Sequence, residues 1–178
     1  LKRPKLSAPF PYFGAKSRIA PAVWERFGDV ANYVEPFAGS LAVLLGRPST
    51  SKVETVNDSY GLLINFWRAC TYNPEETAHW ANNPVHEIEL HARHIYLLAH
   101  KQELELRLMG DPDYYDPKLA GWWVWGQCAW LGHGWCTGDG PWCSVDGKLV
   151  KSSREDRGVT RALPYLHSYG QGVTKKLP

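Results

Sequence analysis

No stretch of this chain approaches the roughly 20 consecutive apolar residues that a bilayer-crossing helix needs, which argues against a membrane-spanning protein. The basic start, Leu1 to Lys5, is followed by no apolar signal core, so an intracellular protein is expected. Cysteine is scarce as well: Cys70, Cys128, Cys136 and Cys143 are the four in 178 residues. Without a secretory signal they favour free thiols over a disulfide framework. Paired short Cys spacings are also missing. Cys128, His133, Cys136 and Cys143 offer soft ligands for zinc, but packing thiols are the expectation, with Cys128 buried in a tryptophan-rich helix.

What is present is an ordinary globular composition, 44% hydrophobic and 21% charged, at a length that implies one domain with a real core. The net charge of +2 hides an asymmetry. Between Glu54 and Asp116 there are eleven acidic residues against four basic ones, whereas from Lys148 onward seven basic residues face two acidic ones. A polyanion is drawn to that C-terminal stretch; a solvated tail is the equal alternative. Nine tryptophans are many for this length. Helical spacing assigns most of them to a core, leaving Trp135 and Trp142, in a Gly-rich loop, as the exposed pair. His91 and His94, one turn apart, read as a solvated helix face.

Apolar periodicity predicts a helix over 16–27, with Ile19, Val23 and Phe27 at fourfold spacing and Gly28 as the stop. A strand over Val30 to Phe37 ends in Ala38-Gly39-Ser40, and a helix over Leu41 to Leu45 follows with Ser40 as its N-cap. Lys52 to Asn57 alternates as a second strand, and a helix runs from Tyr60 to Cys70. This order implies a parallel sheet with right-handed crossovers. Asn73-Pro74-Glu75-Glu76 then starts a helix, which Pro84 breaks. A long helix over His86 to Leu108 follows, and Asp116-Pro117 opens another that carries Trp122, Trp123, Trp125 and Trp130. Beyond Gly132 the chain reads as loop.

The segment Tyr33 to Ser40 carries the chemistry. A strand ending in a glycine turn and then a helix exposes backbone N–H groups, and Gly39 lets a ligand approach the main chain. Eighteen residues after Ser40 stands Asp58, at the end of the second strand, where a carboxylate accepts both hydroxyls of a ribose. The spacing implies a bound adenosine. Dinucleotide sites use three glycines to wrap a pyrophosphate, and here Gly39-Ser40-Leu41 supplies one. Glu35 repels phosphate but suits a cationic amino group. A nucleotide-dependent oxidoreductase is therefore disfavoured against a cofactor with an amino-acid end.

Glu35-Pro36-Phe37-Ala38-Gly39-Ser40 resembles the first cofactor motif of the Dam-like (class D12) adenine-specific DNA methyltransferases. Pro11-Tyr12-Phe13-Gly14-Ala15-Lys16 is similar to the motif those enzymes carry upstream of it, and Val56-Asn57-Asp58 to the acidic end of their second strand. Trp122 to Gln127 with Gly134-Trp135-Cys136 is similar to the insertion of one phage and bacterial branch. The resemblance implies S-adenosylmethionine as cofactor. It carries Lys16 to the methionine carboxylate, Glu35 to the amino group, and Asp58 to the ribose hydroxyls. Pro36, Phe37, Ala38, Gly39 and Ser40 form the turn against the cofactor, with Tyr12 and Gly14 flanking it. Leu41 departs from the pattern, standing where many relatives have a second glycine.

The same resemblance implies a doubly wound, Rossmann-like α/β methyltransferase sheet, incomplete, with a helical, Trp-rich insertion. Its organisation is a cofactor part over 1–72, the insertion over 73–147, and a basic DNA-recognition stretch over 148–178 with Arg154, Arg157, Arg161, Lys175 and Lys176. The implied activity is methyl transfer to the exocyclic amine of adenine in double-stranded DNA, in the cytoplasm of a bacterial or phage-infected cell, as in restriction-modification. That chemistry uses an Asp-Pro-Pro-Tyr type motif, which accepts the amino hydrogens and stacks on the flipped base. None occurs in these 178 residues. Asp111-Pro112-Asp113-Tyr114 comes nearest, with Leu104, Leu106 and Leu108 alternating before it, but a helix-linking turn is the expectation there. A downstream catalytic segment or a second chain is then required. The alternative is a non-catalytic cofactor-sensing or DNA-binding module.

Overall fold

The structure, a computed structural model, describes residues 6–12, 14, 16–48, 53–131 and 134–136, together with the backbone of 142–145 and 148–151. The chain divides into two compact units, Leu1–Ile64 and Asn65–Pro178, where length alone implied one domain.

In the first unit a 3₁₀ turn, Lys16–Arg18, precedes helix α1, Ala20–Phe27. The single helix expected over 16–27 is thus interrupted, and Pro21 lies in the first turn of α1, where its missing N–H costs nothing. Gly28 closes α1 at φ 63°, its N–H returning to Trp24 O. The buried face also differs from the expected one. Ile19 and Phe27 are each 54% exposed, while Ala20 and Trp24, one turn apart, are buried. Strand β1, Asn32–Glu35, helix α2, Ala42–Leu45, and strand β2, Val53–Val56, follow, each shorter than its apolar run suggested. β1 and β2 pair in parallel, Asn32 beside Val53 through Glu35 beside Val56. Parallel strands need a crossover, and here α2 lies within it. The core is anchored by Trp24, whose Nε1 donates to Val43 O at 2.7 Å and whose ring lies 4.8 Å from that of Tyr33. The buried Arg47 guanidinium sits 5.0 Å over the Trp24 ring and donates to Val30 O.

Ser40 does not cap α2. The N-cap is Leu41, in the left-handed region at φ 54° and ψ 25° with no side-chain cap bond. That conformation costs a non-glycine residue about 1–2 kcal/mol. It explains why a glycine suits this position, and burial of the Leu41 side chain, 8% exposed, offsets the strain.

The boundary between the units falls within α3, Gly61–Tyr72. The second unit continues with α4, Pro74–Ala81, α5, Glu87–Gly110, and α6, Pro117–Ala129. The predicted starts hold: Asn73 accepts from Glu76 N–H and Asp116 from Leu119 N–H, as N-cap residues do. Asn65, fully buried, exchanges two bonds with the Asp116 backbone at 2.7 and 2.8 Å. Gly121 lets α4 and α6 touch: a Cβ there would lie 2.5 Å from Trp80 Cβ and 2.6 Å from Thr77 O. The segment read as loop beyond Gly132 contains an antiparallel hairpin, β3 (Trp142–Val145) with β4 (Lys148–Lys151).

Three expectations fail in this unit. Trp135 is buried, 5% exposed, with its Nε1 donating to Trp123 O at 2.9 Å. Cys128 is exposed rather than buried. His94 is not on a solvated face: it is 1% exposed, stacked on Trp130 at 4.8 Å and 21°, and beside Trp135. Its Nδ1 accepts from Cys136 N–H at 3.3 Å. Burial, with repulsion from His91, depresses its pKa to about 4, so it is a neutral core histidine. Cys70, Cys128 and Cys136 are free thiols, and burial pushes Cys136 well above the usual thiol range.

A helix-rich chain with a two-stranded parallel sheet is compatible with an α/β methyltransferase-like fold. Among the described residues the sheet has two strands, too few to display a doubly wound order. No helix among the described residues is long and apolar enough to cross a membrane.

Candidate functional site

The two strands of the first unit end side by side, and their following loops are stitched together. Asn57 N–H donates to Glu35 O at 2.9 Å and Ala38 N–H to Asn57 O at 2.8 Å. The Asn57 side chain adds a bond to Pro36 O at 3.1 Å. These bonds continue the parallel ladder past the strands, so the turn after β1 is held against the residue that follows β2. Asp58 completes the joint. Its Oδ2 accepts from Gly39 N–H at 2.9 Å, and its Oδ1 accepts from Tyr60 N–H at 3.1 Å.

Above this joint lies a cavity of about 360 Å³, lined by Tyr12, Gly14, Lys16, Phe37, Ala38, Gly39, Ser40 and Asp58. Three separate segments of sequence meet there. Gly39 adopts φ 53°, and a Cβ on it would lie 3.1 Å from the Tyr12 ring; glycine is favoured on both counts. Phe37 is 80% exposed at the cavity, whereas Ser40 is buried. Burial and the negative charge of Asp58 raise the Tyr12 pKa, so its phenol stays protonated. Of the residues expected to act together, Glu35 and Pro36 lie outside the lining. Glu35 is 4% exposed; its carboxylate is 2.5 Å from Lys16 Nζ and accepts from Tyr33 Oη at 3.0 Å.

The cavity is charged at two places, Lys16 and Asp58. An ionised carboxylate offers about four acceptor positions, and Asp58 uses one on each oxygen for backbone N–H groups. Lone pairs remain on both oxygens for a vicinal diol.

Asp111 is in the helix-linking turn. It follows α5, which contains Leu104, Leu106 and Leu108, and its Oδ1 accepts from Asp113 N–H at 2.9 Å. One Arg68 nitrogen binds the carbonyls of Leu108, Asp111 and Tyr114 at 3.1–3.2 Å, which fixes the turn. Arg154, Arg157, Arg161, Lys175 and Lys176 lie outside the described residues, as does His133; of Cys143 and Trp142 only the backbone is described. Among the described residues no three His, Cys, Asp or Glu side chains gather as a metal site.

Sequence reasoning passed over Tyr33. The sequence offered the two-residue spacing, which puts Tyr33 and Glu35 on one face of a strand; that this face is the buried one, with Val34 outside, is shown by the structure alone.

Residues 12–113, more than half of the chain, match the family model described as D12 class N6 adenine-specific DNA methyltransferase. No curated protein and no solved structure gives a significant match.

Proposed function

The chain belongs to the family of D12 class N6 adenine-specific DNA methyltransferases, and from that premise we propose that its first unit is the S-adenosylmethionine site of such an enzyme. The observation that carries this reading is the convergence of residues 12–16, 37–40 and 58 on one cavity. Its size falls within the roughly 300–1,000 Å³ of small-molecule sites. The donor set fits the cofactor. Asp58 has acceptors free for the ribose hydroxyls, Lys16 provides a cation for the methionine carboxylate, and Gly39 keeps the turn open to close approach. Among the described residues no arginine lines the cavity, and one glycine serves the turn, a poor match to a pyrophosphate.

When bound, the cofactor supplies an electrophilic methyl group on a sulfonium. The residues of this chain bind and orient it. The one carboxylate among the lining residues, Asp58, is taken by the ribose in this reading, and the 178 residues contain no Asp-Pro-Pro-Tyr motif to accept the adenine amino hydrogens. We therefore assign that step to a catalytic segment outside these residues, on the same polypeptide or a second one. Labelled-methyl transfer to adenine-containing duplexes, with and without the downstream polypeptide, separates this from a cofactor-sensing module, which stays inactive in both. The basic stretch from Lys148 is assigned to the DNA backbone. Replacing Arg154, Arg157 and Arg161 with alanine should flatten the salt dependence of duplex binding, because fewer counterions are released; an unchanged slope would place the DNA surface elsewhere.

Calorimetry tests the cofactor site. Asp58→Ala should weaken S-adenosylmethionine by about 1.5–3 kcal/mol, the worth of hydrogen bonds to a charged group. Equal binding by the two proteins would remove Asp58 from the site.

A further inference from the structure

A chain of buried polar groups adjoins the cavity without lining it. Tyr33 and Glu35 sit on the inner face of β1, 5% and 4% exposed. Tyr33 Oη donates to Glu35 Oε2 at 3.0 Å, and Glu35 Oε1 is 2.5 Å from Lys16 Nζ. Lys16 Nζ also donates to the Phe37 carbonyl at 2.5 Å, in the turn itself. An ammonium has three N–H donors. One is donated to the Phe37 carbonyl, while the charge is paired with Glu35 as an ion pair, so N–H capacity remains for the cavity that Lys16 lines. Glu35 Oε2 accepts from Tyr33 and Oε1 faces Lys16 as an ion pair without a hydrogen bond; Glu35 is not among the lining residues, so the cavity presents the cation while the counter-charge is held out of it.

This bracing has physical consequences. A lysine side chain has a flexible four-carbon stem rich in rotamers; the ion pair with Glu35 and the bond to Phe37 hold its head before a ligand arrives, which is preorganisation. Glu35 in turn needs both partners, because an uncompensated buried carboxylate is strongly destabilising. Tyr33 is fixed by its ring contact with Trp24, and burial together with the Glu35 charge holds its hydroxyl protonated as a donor.

We propose that Tyr33 and Glu35 are positioning residues that act on the cofactor's carboxylate through Lys16, in place of a direct contact between Glu35 and the cofactor's amino group. The assignment rests on the reading of the cavity as an S-adenosylmethionine site. It predicts that Glu35, although acidic, contributes to recognition of an anion.

Three ligands decide it: S-adenosylmethionine; its decarboxylated form, which keeps the amino group; and 5′-methylthioadenosine, which lacks both groups. Glu35→Gln and Lys16→Met should each weaken S-adenosylmethionine on the order of tenfold, the scale of a charge-assisted hydrogen bond. Both should leave the decarboxylated form essentially unchanged. Tyr33→Phe should show the same selectivity with a loss of several-fold. Glu35→Gln added to Lys16→Met should cost nothing further, since residues acting through one contact are not additive. A matching loss of the decarboxylated ligand in Glu35→Gln would establish direct contact with the amino group and overturn the proposal. Unaltered ligand affinities in Tyr33→Phe would overturn its part in it. A variant that also loses 5′-methylthioadenosine has lost the cavity, which makes the residue structural and refutes the assignment. If the unsubstituted chain binds none of the three, the cofactor reading falls and this assignment with it.

Discussion

The two units use buried polar groups in opposite ways. In the first, Glu35 is a buried charge paired with Lys16, and a left-handed Leu41 is tolerated, both beside a turn whose Gly39 lines a cavity; the other buried charge, Arg47, is tied to Val30 ahead of β1. In the second, His94 is buried neutral among Trp130, Trp135 and Cys136, and glycines serve packing: a Cβ on Gly126 would lie 1.8 Å from a carbon of the Trp135 ring. On the proposed reading, strain and charge collect beside the cofactor cavity, and close aromatic packing marks the described helices of the second unit. Substitutions should therefore separate the units by what they damage.

The largest expected effect concerns pH. The folded His94 titrates at about 4 against 6.5 for the free side chain. Between those values the unfolded chain binds a proton that the folded chain refuses. Stability contributed by neutral His94 is whole above pH 6.5 and is lost as pH falls towards 4, by about 3 kcal/mol in all. Urea unfolding at pH 7.5 and pH 4.5 should reveal it, and His94→Asn, which retains an acceptor for Cys136 N–H, should flatten that part of the pH dependence. An equally steep loss in the variant would assign the effect to other groups.

Gly126→Ala comes next. Trp135 must move from a packed position, with a cost of about 2–3 kcal/mol for overpacking, read as a lower thermal midpoint. The folded variant should bind S-adenosylmethionine as before. A loss of cofactor affinity here, with stability intact, would break the division of roles between the units.

Gly39→Ala should do the reverse. The left-handed φ costs about 1–2 kcal/mol, and the new methyl presses on Tyr12 at the cavity wall. Cofactor affinity should fall by more than its modest change in stability predicts. Wild-type affinity in this variant would mean that the ligand does not approach the turn.

How far the sequence could be read follows the range of the signal in both units. The turn after β1 was legible because its elements are local: a strand, one glycine, and an acid at the next strand end. The helix starts at Asn73 and Asp116 were legible because caps are short-range signals. The environment of His94 was not, since Trp130 and Trp135 come from 36 and 41 positions further along the sequence. The buried face of α1 was misjudged because Trp24 outweighs the Ile19, Val23 and Phe27 series in area that packing can bury. Ser40 reads as a helix cap from its residue type, yet its neighbour Leu41 takes the cap position because the turn must close through Ala38 O, which accepts Leu41 N–H at 3.0 Å.

The central claim, that the turn between β1 and α2 holds S-adenosylmethionine, is most directly tested by titrating the ligand while following backbone amide resonances. The account predicts saturable shifts at Phe37, Ala38, Gly39 and Ser40, with a change at Tyr60 through its bond to Asp58, and little change along α5 and α6. Saturable binding that leaves Gly39 and its neighbours unmoved, or that centres on the second unit, would contradict it.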